Sequence, residues 1–455
     1  MERVLRFEMT IKVSFSFERS WTSADEIAEK VREARDEIGR QMMGRSIEAV
    51  QEALLERERL PRVAARHKIG RGRSAPSCTC GRFTRQGSRR TRRVRTPLGE
   101  VSFRVARVKC PRCGTKHTPI LRWLGIESRQ RRLTSLEKIV AEIVSLESYG
   151  ETERLVKQVT GERIPDATIH DWIASIDWDE LQLGRYRRPA AILEDGTAFK
   201  KRKGERGELR AFVGVDTRGR LFPLGVFAGL SLEDVASEIK KRLDGHAQAT
   251  LFVHDGEKDV SKHLADIAER EGRCRWHMPR GLGYALWEDG LGKEERDPHV
   301  RKLAGIVGVE IPDEDWQQLK DSDLTPLREE LDRARKEYDT LIDAFKRRGY
   351  DKAREYLSRA AHNLFAEVET WLDTGLVLPG TISSLERLFR QVGRRLKAFA
   401  YNWSDEGAER ISKILLKKKR EPDDWERYWH ERQRLYGRCR VRLQEVAVER
   451  LPITG

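Results

Sequence analysis

Two stretches, AILEDGTAFK at 191–200 and LFVHDG at 251–256, each run bulky apolar residues into an aspartate followed by glycine. An ionised carboxylate at the tip of a buried strand must be paired with a cation or neutralised. Asp195 and Asp255 are therefore candidate ligands. A third carboxylate, Glu386, opens the amphipathic segment TISSLERLFRQVGRRLK. Two aspartates on neighbouring strands and one glutamate on a packed helix offer oxygen donors for two Mg²⁺ (or Mn²⁺) ions. Such ions, about 3.5–4 Å apart, stabilise the attacking and leaving oxygens of a phosphodiester substitution, and Mg²⁺ shares its shell readily with phosphate oxygens. Blander readings stand beside this one. Asp-Gly is a common turn dipeptide, and Ser383-x-x-Glu386 has the spacing of a capping box.

A second set of residues has metal-ligand spacing. Cys110 and Cys113 lie in KCPRCG, where Pro and Gly shape a tight knuckle that aims two thiolates at one tetrahedral ion. Cys78 and Cys80, in SCTCG about 30 residues upstream, complete a four-cysteine set for a structural Zn²⁺ with no open position. The alternative is four reduced cysteines in a β-rich module. Cys274 and His277, in CRWH, share a CxxH spacing but have no second pair near them in sequence. They read more readily as a buried hydrogen-bonding pair bracing the edge of the site. Trp276 and Trp403 are core residues or platforms for an unpaired base.

The elements that must position these groups can be read from periodicity. Residues 188–270 read strand, strand, strand, helix, strand, helix. ELRAFVGVD and RLFPLGVFA form a hairpin about the turn at 217–219. LSLEDVASEIKKRL is an amphipathic crossover that lets the fourth strand lie parallel to the first. GEKDVSKHLADIAE reads as a further helix. Upstream, 134–176 reads as three helices, with Gly161 ending the second and Asp166 capping the third. That is a helix-turn-helix layout with Thr168, His170 and Asp171 on the recognition helix. Downstream, Thr325 and Pro326 begin a charged helical pair broken at Gly349. The N-terminal segment MTIKVSFSF alternates as a strand, and a long helical stretch follows from Ser23.

Lys+Arg number 89 against 74 Asp+Glu, a net charge of +15 over 455 residues. That favours a polyanionic partner, nucleic acid first. Residues 61–95 hold twelve Lys/Arg and no Asp or Glu. Arg89, Arg90, Arg92 and Arg93 there, with Arg390, Arg394, Arg395 and Lys397 on the last amphipathic segment, are candidate phosphate contacts. No apolar run approaches a membrane span, and the N-terminus has no apolar targeting core. A soluble, intracellular chain is the expectation.

The order Asp195, Asp255, Glu386 on this strand and helix frame resembles the RNase H-like DDE transposases of prokaryotic insertion sequences, in particular the Mutator-like superfamily. Cys274-x-x-His277 falls where that superfamily carries its C-x-x-H signature. A mainly helical stretch of 131 residues separates Asp255 from Glu386. The tail SSLERLFRQVGRRLKAFAYNWSDEGAERI is similar to the family's glutamate-helix segments. The resemblance covers roughly 130–430. It implies an α/β catalytic domain, RNase H-like with a mixed five-stranded sheet, interrupted by an all-α insertion and preceded by a zinc ribbon and helix-turn-helix. The expected divisions are 1–60 (N-terminal strand and helix), 61–125 (zinc ribbon), 126–185 (helix-turn-helix), 186–290 (first catalytic part), 291–380 (helical insertion) and 381–455 (second catalytic part with basic helices). It further implies double-stranded DNA as partner, at element ends and at the target, and a homodimer or larger assembly. A catalytically inactive descendant acting as a DNA-binding regulator, and a nuclease lacking strand transfer, are the alternatives.

Overall fold

A computed structural model describes residues 9–11, 13, 23–56, 84–112, 114, 116–127, 129–177, 188–201, 204–243, 248–312, 317, 319–397 and 401–433. Cys78, Cys80, Cys113, the Arg89 side chain and most of the expected N-terminal strand lie outside them.

The first elements are α1 (Ala24–Glu56), β1 (Thr84–Thr96), β2 (Gly99–Lys109), β3 (Lys116–His117) and α2 (Pro119–Trp123). The strands form an antiparallel three-stranded sheet in that order. Alternation in GEVSFRVARVK turns Val101, Phe103 and Val105 inward, where they meet Val94, Ile120 and Ile47 of α1. Cys110 is fully buried just beyond β2, and its carbonyl accepts from the Gly114 amide at 2.9 Å. Three helices follow: α3 (Thr134–Val144), α4 (Tyr149–Thr160) and α5 (Asp166–Ala174). Gly161 ends α4 in the left-handed region (φ 72°), as its position predicts. Asp166 is the first residue of α5 rather than its cap, which is Pro165.

The central sheet is built from β4 (Ala191–Lys200), β5 (Arg206–Val215), β6 (Leu221–Ala228), β7 (Ala249–His254) and β8 (Ala268–Arg273). Helices α6 (Leu232–Leu243) and α7 (Lys258–Leu264) make its crossovers. The order is β6-β5-β4-β7-β8, with β4–β5–β6 antiparallel and β4–β7–β8 parallel. This is a mixed α/β fold compatible with an RNase H-like core. Side-chain parity assigns the two faces. Ala191, Leu193, Leu251 and Val253 pack on one side with α3–α5 and the C-terminal helices. Ile192, Phe212 and Phe252 pack on the other with α6 and α7.

β4 spans AILEDGTAFK as read, held by β5 along its whole length, with Asp195 in its middle. One expectation is corrected here. The helix read over 256–269 ends early: α7 gives way to a 3-10 turn at Ala265–Ile267, and residues 268 and 269 already belong to β8.

Helices α8 (His277–Glu288), α9 (Lys293–Ile306), α10 (Asp321–Arg348), α11 (Asp351–Ala360) and α12 (Ala366–Thr374) enclose an apolar core of their own. The face Leu331, Ala334, Tyr338, Leu341 and Phe345 is buried as the periodicity predicts. Helix α10 starts a turn earlier than expected, where the Lys320 amide meets Asp323 at 2.8 Å, so Pro326 lies inside it. The chain closes with α13 (Ser383–Lys397), α14 (Asp405–Arg420) and α15 (Pro422–Gln433). The α13 stripe of Leu385, Leu388, Phe389, Val392 and Leu396 is buried against the first sheet face, over β4. Burying each such side chain fully is worth ~1.5–3 kcal/mol, and the stripe fixes where Glu386 points. No helix among the described residues is long and apolar enough to cross a membrane.

Candidate functional site

In the parallel pairing of β4 with β7, Ala191 faces Leu251, Ile192 faces Phe252 and Leu193 faces Val253. Carried two residues further, the same register sets Asp195 beside Asp255. Both share the parity of Leu193 and Val253, so both belong to the sheet face that α13 covers. Asp195, Asp255 and Glu386 all line one cleft of about 580 Å³, with Arg273, His277 and Lys397 among its other walls.

The carboxylates are held by short local contacts. Asp195 Oδ1 accepts from the Gly196 amide at 2.9 Å. Asp255 Oδ1 accepts from the Glu257 amide at 3.0 Å across a turn at Gly256 (φ 96°), where a β-carbon would meet the Arg273 guanidinium at 2.1 Å. Glu386 does not cap α13: its amide bonds to the Ile382 carbonyl at 3.0 Å, and its carboxylate meets His277 Nε2 at 3.3 Å. Burial first, then the charges of Asp255 and Glu386, push the Asp195 carboxyl up to about 7. Burial and two neighbouring carboxylates thus disfavour an ionised Asp195 in the absence of a cation. Three carboxylates on one cleft, an all-oxygen donor set, fit a hard divalent cation.

Cys274 and His277 brace this arrangement. The Cys274 amide donates to the His254 carbonyl (2.9 Å), and its buried thiol sulfur accepts from the Ile382 amide (3.4 Å). The end of β7 is thereby tied to the start of α13. Burial lowers the His277 pKa, and its Nδ1 is buried with no partner.

The opposite sheet face carries residues that periodicity did not single out. Glu194 is 1% exposed, and its Oε1 meets Arg210 Nη1 at 3.0 Å. Arg210 also reaches Glu257 (2.7 Å) and Glu208 (2.8 Å). Burial pushes the Glu194 carboxyl up to about 8, against the pull of Arg210. His254, stacked on Phe252, lies 2.7 Å from Glu271 through Nε2 and accepts the Gly256 amide on Nδ1 at 3.1 Å. Those contacts assign the proton to Nε2. Glu194, His254 and Asp255 each bring a ligand atom within 4.8 Å of the others, a group that could hold a metal ion. Both His254 nitrogens are already engaged, however, so a metal there would have to displace the Gly256 amide or Glu271. Among the described residues no other such group approaches within 4.8 Å. Asp195, Asp255 and Glu386 thus stand further apart than the shell of one small ion. The signal that could have found Glu194 and His254 is their place one residue before each aspartate, hence on the other face.

The expected DNA contacts divide. Arg90, Arg93, Arg390, Arg394 and Lys397 are exposed, as is His170, while Thr168 is half-buried. Arg92 is half-buried and donates to the Glu127 and Gln130 carbonyls. Arg395 is a correction: it is 2% exposed, donates to the Val144 carbonyl and lies 4.8 Å over the Trp403 ring, so it cannot meet a phosphate. Trp403 is core, whereas Trp276 is exposed. Compared with known proteins, the chain matches no family model and no curated sequence.

Proposed function

We propose that the chain is a DDE-type DNA transposase whose active site is the cleft of Asp195, Asp255 and Glu386. What supports this is their convergence: carboxylates 60 and 131 residues apart in sequence share one sheet face and one cleft. Their spread beyond a single-ion shell suits two ions better than one. When bound, two Mg²⁺ or Mn²⁺ ions would supply charge stabilisation to both oxygens of an in-line phosphodiester displacement. The chain's residues would do the rest. Asp195 and Asp255, fixed by strand register, hold the cation donors in place, and His277 orients Glu386 by its Nε2 contact. Lys397 and Arg273, on the cleft wall, would receive phosphate oxygens.

In this reading water first cleaves the strand at an element end, and the freed 3′-hydroxyl then attacks target DNA. The basic hairpin β1–β2, a structural Zn²⁺ held by Cys78, Cys80, Cys110 and Cys113, and helices α3–α5 would grip the terminal repeats. Two ends must meet, which requires at least a dimer. The test uses full-length protein and end DNA. Asp195→Ala should bind as wild type yet show no Mg²⁺-dependent nicking, whereas wild-type nicking by that variant would refute the assignment.

A further inference from the structure

Helix α8 runs away from the cleft with one face buried through Met278, Leu282, Ala285 and Leu286. Its other face carries Trp276 at the cap, Arg280, Tyr284 and Trp287, spaced 4, 4 and 3 residues apart and therefore aligned. The three rings are 53%, 56% and 62% exposed. Among the described residues every exposed Phe, Tyr or Trp is on this one helix. The Arg280 guanidinium lies between two of the rings, 5.9 Å from the centre of Trp276 and 6.0 Å from that of Tyr284. Arg280 and Tyr284 also line the acidic cleft, so the stripe is continuous with it.

We propose that Trp276, Arg280, Tyr284 and Trp287 form a stacking track for the unpaired bases of a nucleic-acid strand whose backbone enters the cleft. The inference rests on the function proposed above for that cleft, and adds where the strand goes after leaving it. Flat π faces separated by a cation suit bases, which offer a π face whatever their sequence, together with the phosphates between them. Such residues also anchor protein interfaces, but the stripe's continuity with the cleft and the chain's charge of +15 favour the polyanion.

The experiment uses full-length Asp195→Ala protein and a duplex with a single-stranded extension carrying 2-aminopurine at successive positions. Stacking should quench the probe at the positions nearest the duplex. Trp276→Ala and Trp287→Ala should each restore the fluorescence and weaken binding about 5- to 150-fold. Trp276→Phe should keep most of both. Replacing only the nucleotide stacked on Trp287 by an abasic one should weaken binding to the parent but leave Trp287→Ala unaffected. Equal binding of abasic and intact strands by the parent would overturn the track, as would Trp287→Ala changing oligomeric state while strand binding holds. Asp195-dependent nicking with no quenching would sink the track alone. Quenching together with nicking that ignores Asp195 would sink the catalytic reading while the track stands.

Discussion

The two faces of the central sheet, one residue apart in sequence, handle charge in opposite ways. On one, Glu194 meets Arg210, which also takes Glu257 and Glu208, and His254 meets Glu271. Glu194 is paired through one oxygen only, its buried Oε2 having no partner, so the compensation there rests on the single Arg210 guanidinium. On the other, Asp195, Asp255 and Glu386 face a common cleft, and burial, then the charges of Asp255 and Glu386, leave the Asp195 carboxyl far above its ordinary value. A buried charge kept with its counter-charge is a structural device, while one kept without it is a demand for something from outside. The same strand pair therefore supplies a closed network behind and an open one in front.

The largest expected break of this contrast is in activity. Asp195→Ala should lower Mg²⁺-dependent nicking by on the order of 10³-fold. Glu194→Gln, one residue away, should leave most of it, as single-turnover cleavage assays would show. Comparable losses for both would erase the distinction between the faces. Next in size is stability. Arg210→Met removes the one cation shared by three carboxylates and should cost about 3–5 kcal/mol near pH 8, read by chemical denaturation. The loss should shrink at acid pH, where the carboxyls left behind can take up protons.

A smaller effect separates the two bonds of His254. Asn at 254 keeps an acceptor where Nδ1 meets the Gly256 amide, whereas Gln keeps a donor toward Glu271. If the Gly256 turn sets the position of Asp255, His254→Gln should weaken Mn²⁺ binding about 10- to 100-fold and His254→Asn much less. Titration followed by Mn²⁺ resonance would measure it, and the reverse order would show that the Glu271 contact positions the site.

The part of this that was legible in sequence is the part written in apolar period. The parallel β4–β7 pair, the hairpin turn at 217–219 and the α13 stripe follow from hydrophobic alternation, and with them the placing of Asp195 beside Asp255; Glu386 joins them in sequence only through the family resemblance. What was hidden is held by charge. AEREGR has no strand-like apolar alternation, and its first two residues close the expected helix, yet it forms β8, where Glu271 pairs with His254, Arg270 with Asp373, and Arg273 covers the Tyr356 ring. None of those partners is nearby in sequence. Arg395 was misjudged for the opposite reason. It sits three residues after Val392 and seven after Leu388, inside the buried stripe, and its charge drew attention away from that spacing.

The subtlest contrast is in pH dependence. In the folded chain the Asp195 carboxyl titrates at about 7 against an ordinary 3.8. Because the folded state holds that proton more tightly than the unfolded one, its contribution to stability is complete below pH 3.8 and is lost as pH climbs through 7. The metal-free protein should therefore melt lower at pH 8 than at pH 6. Asp195→Asn should cancel the Asp195 part of the difference, a gain of ~1–2 kcal/mol at pH 8 once solvent screening of a half-buried group is allowed for, and leave the part owed to Glu194, whose carboxyl is pushed up to about 8. Cation binding must displace the same proton, so affinity for Mg²⁺ should rise up to about tenfold per unit below pH 7 and level off above it. Added Mg²⁺ should then stabilise the wild type at pH 8 by mass action and leave the Asn variant nearly unmoved. A wild type and an Asp195→Asn variant with the same metal-free pH dependence between 6 and 8 would mean that Asp195 carries no raised carboxyl.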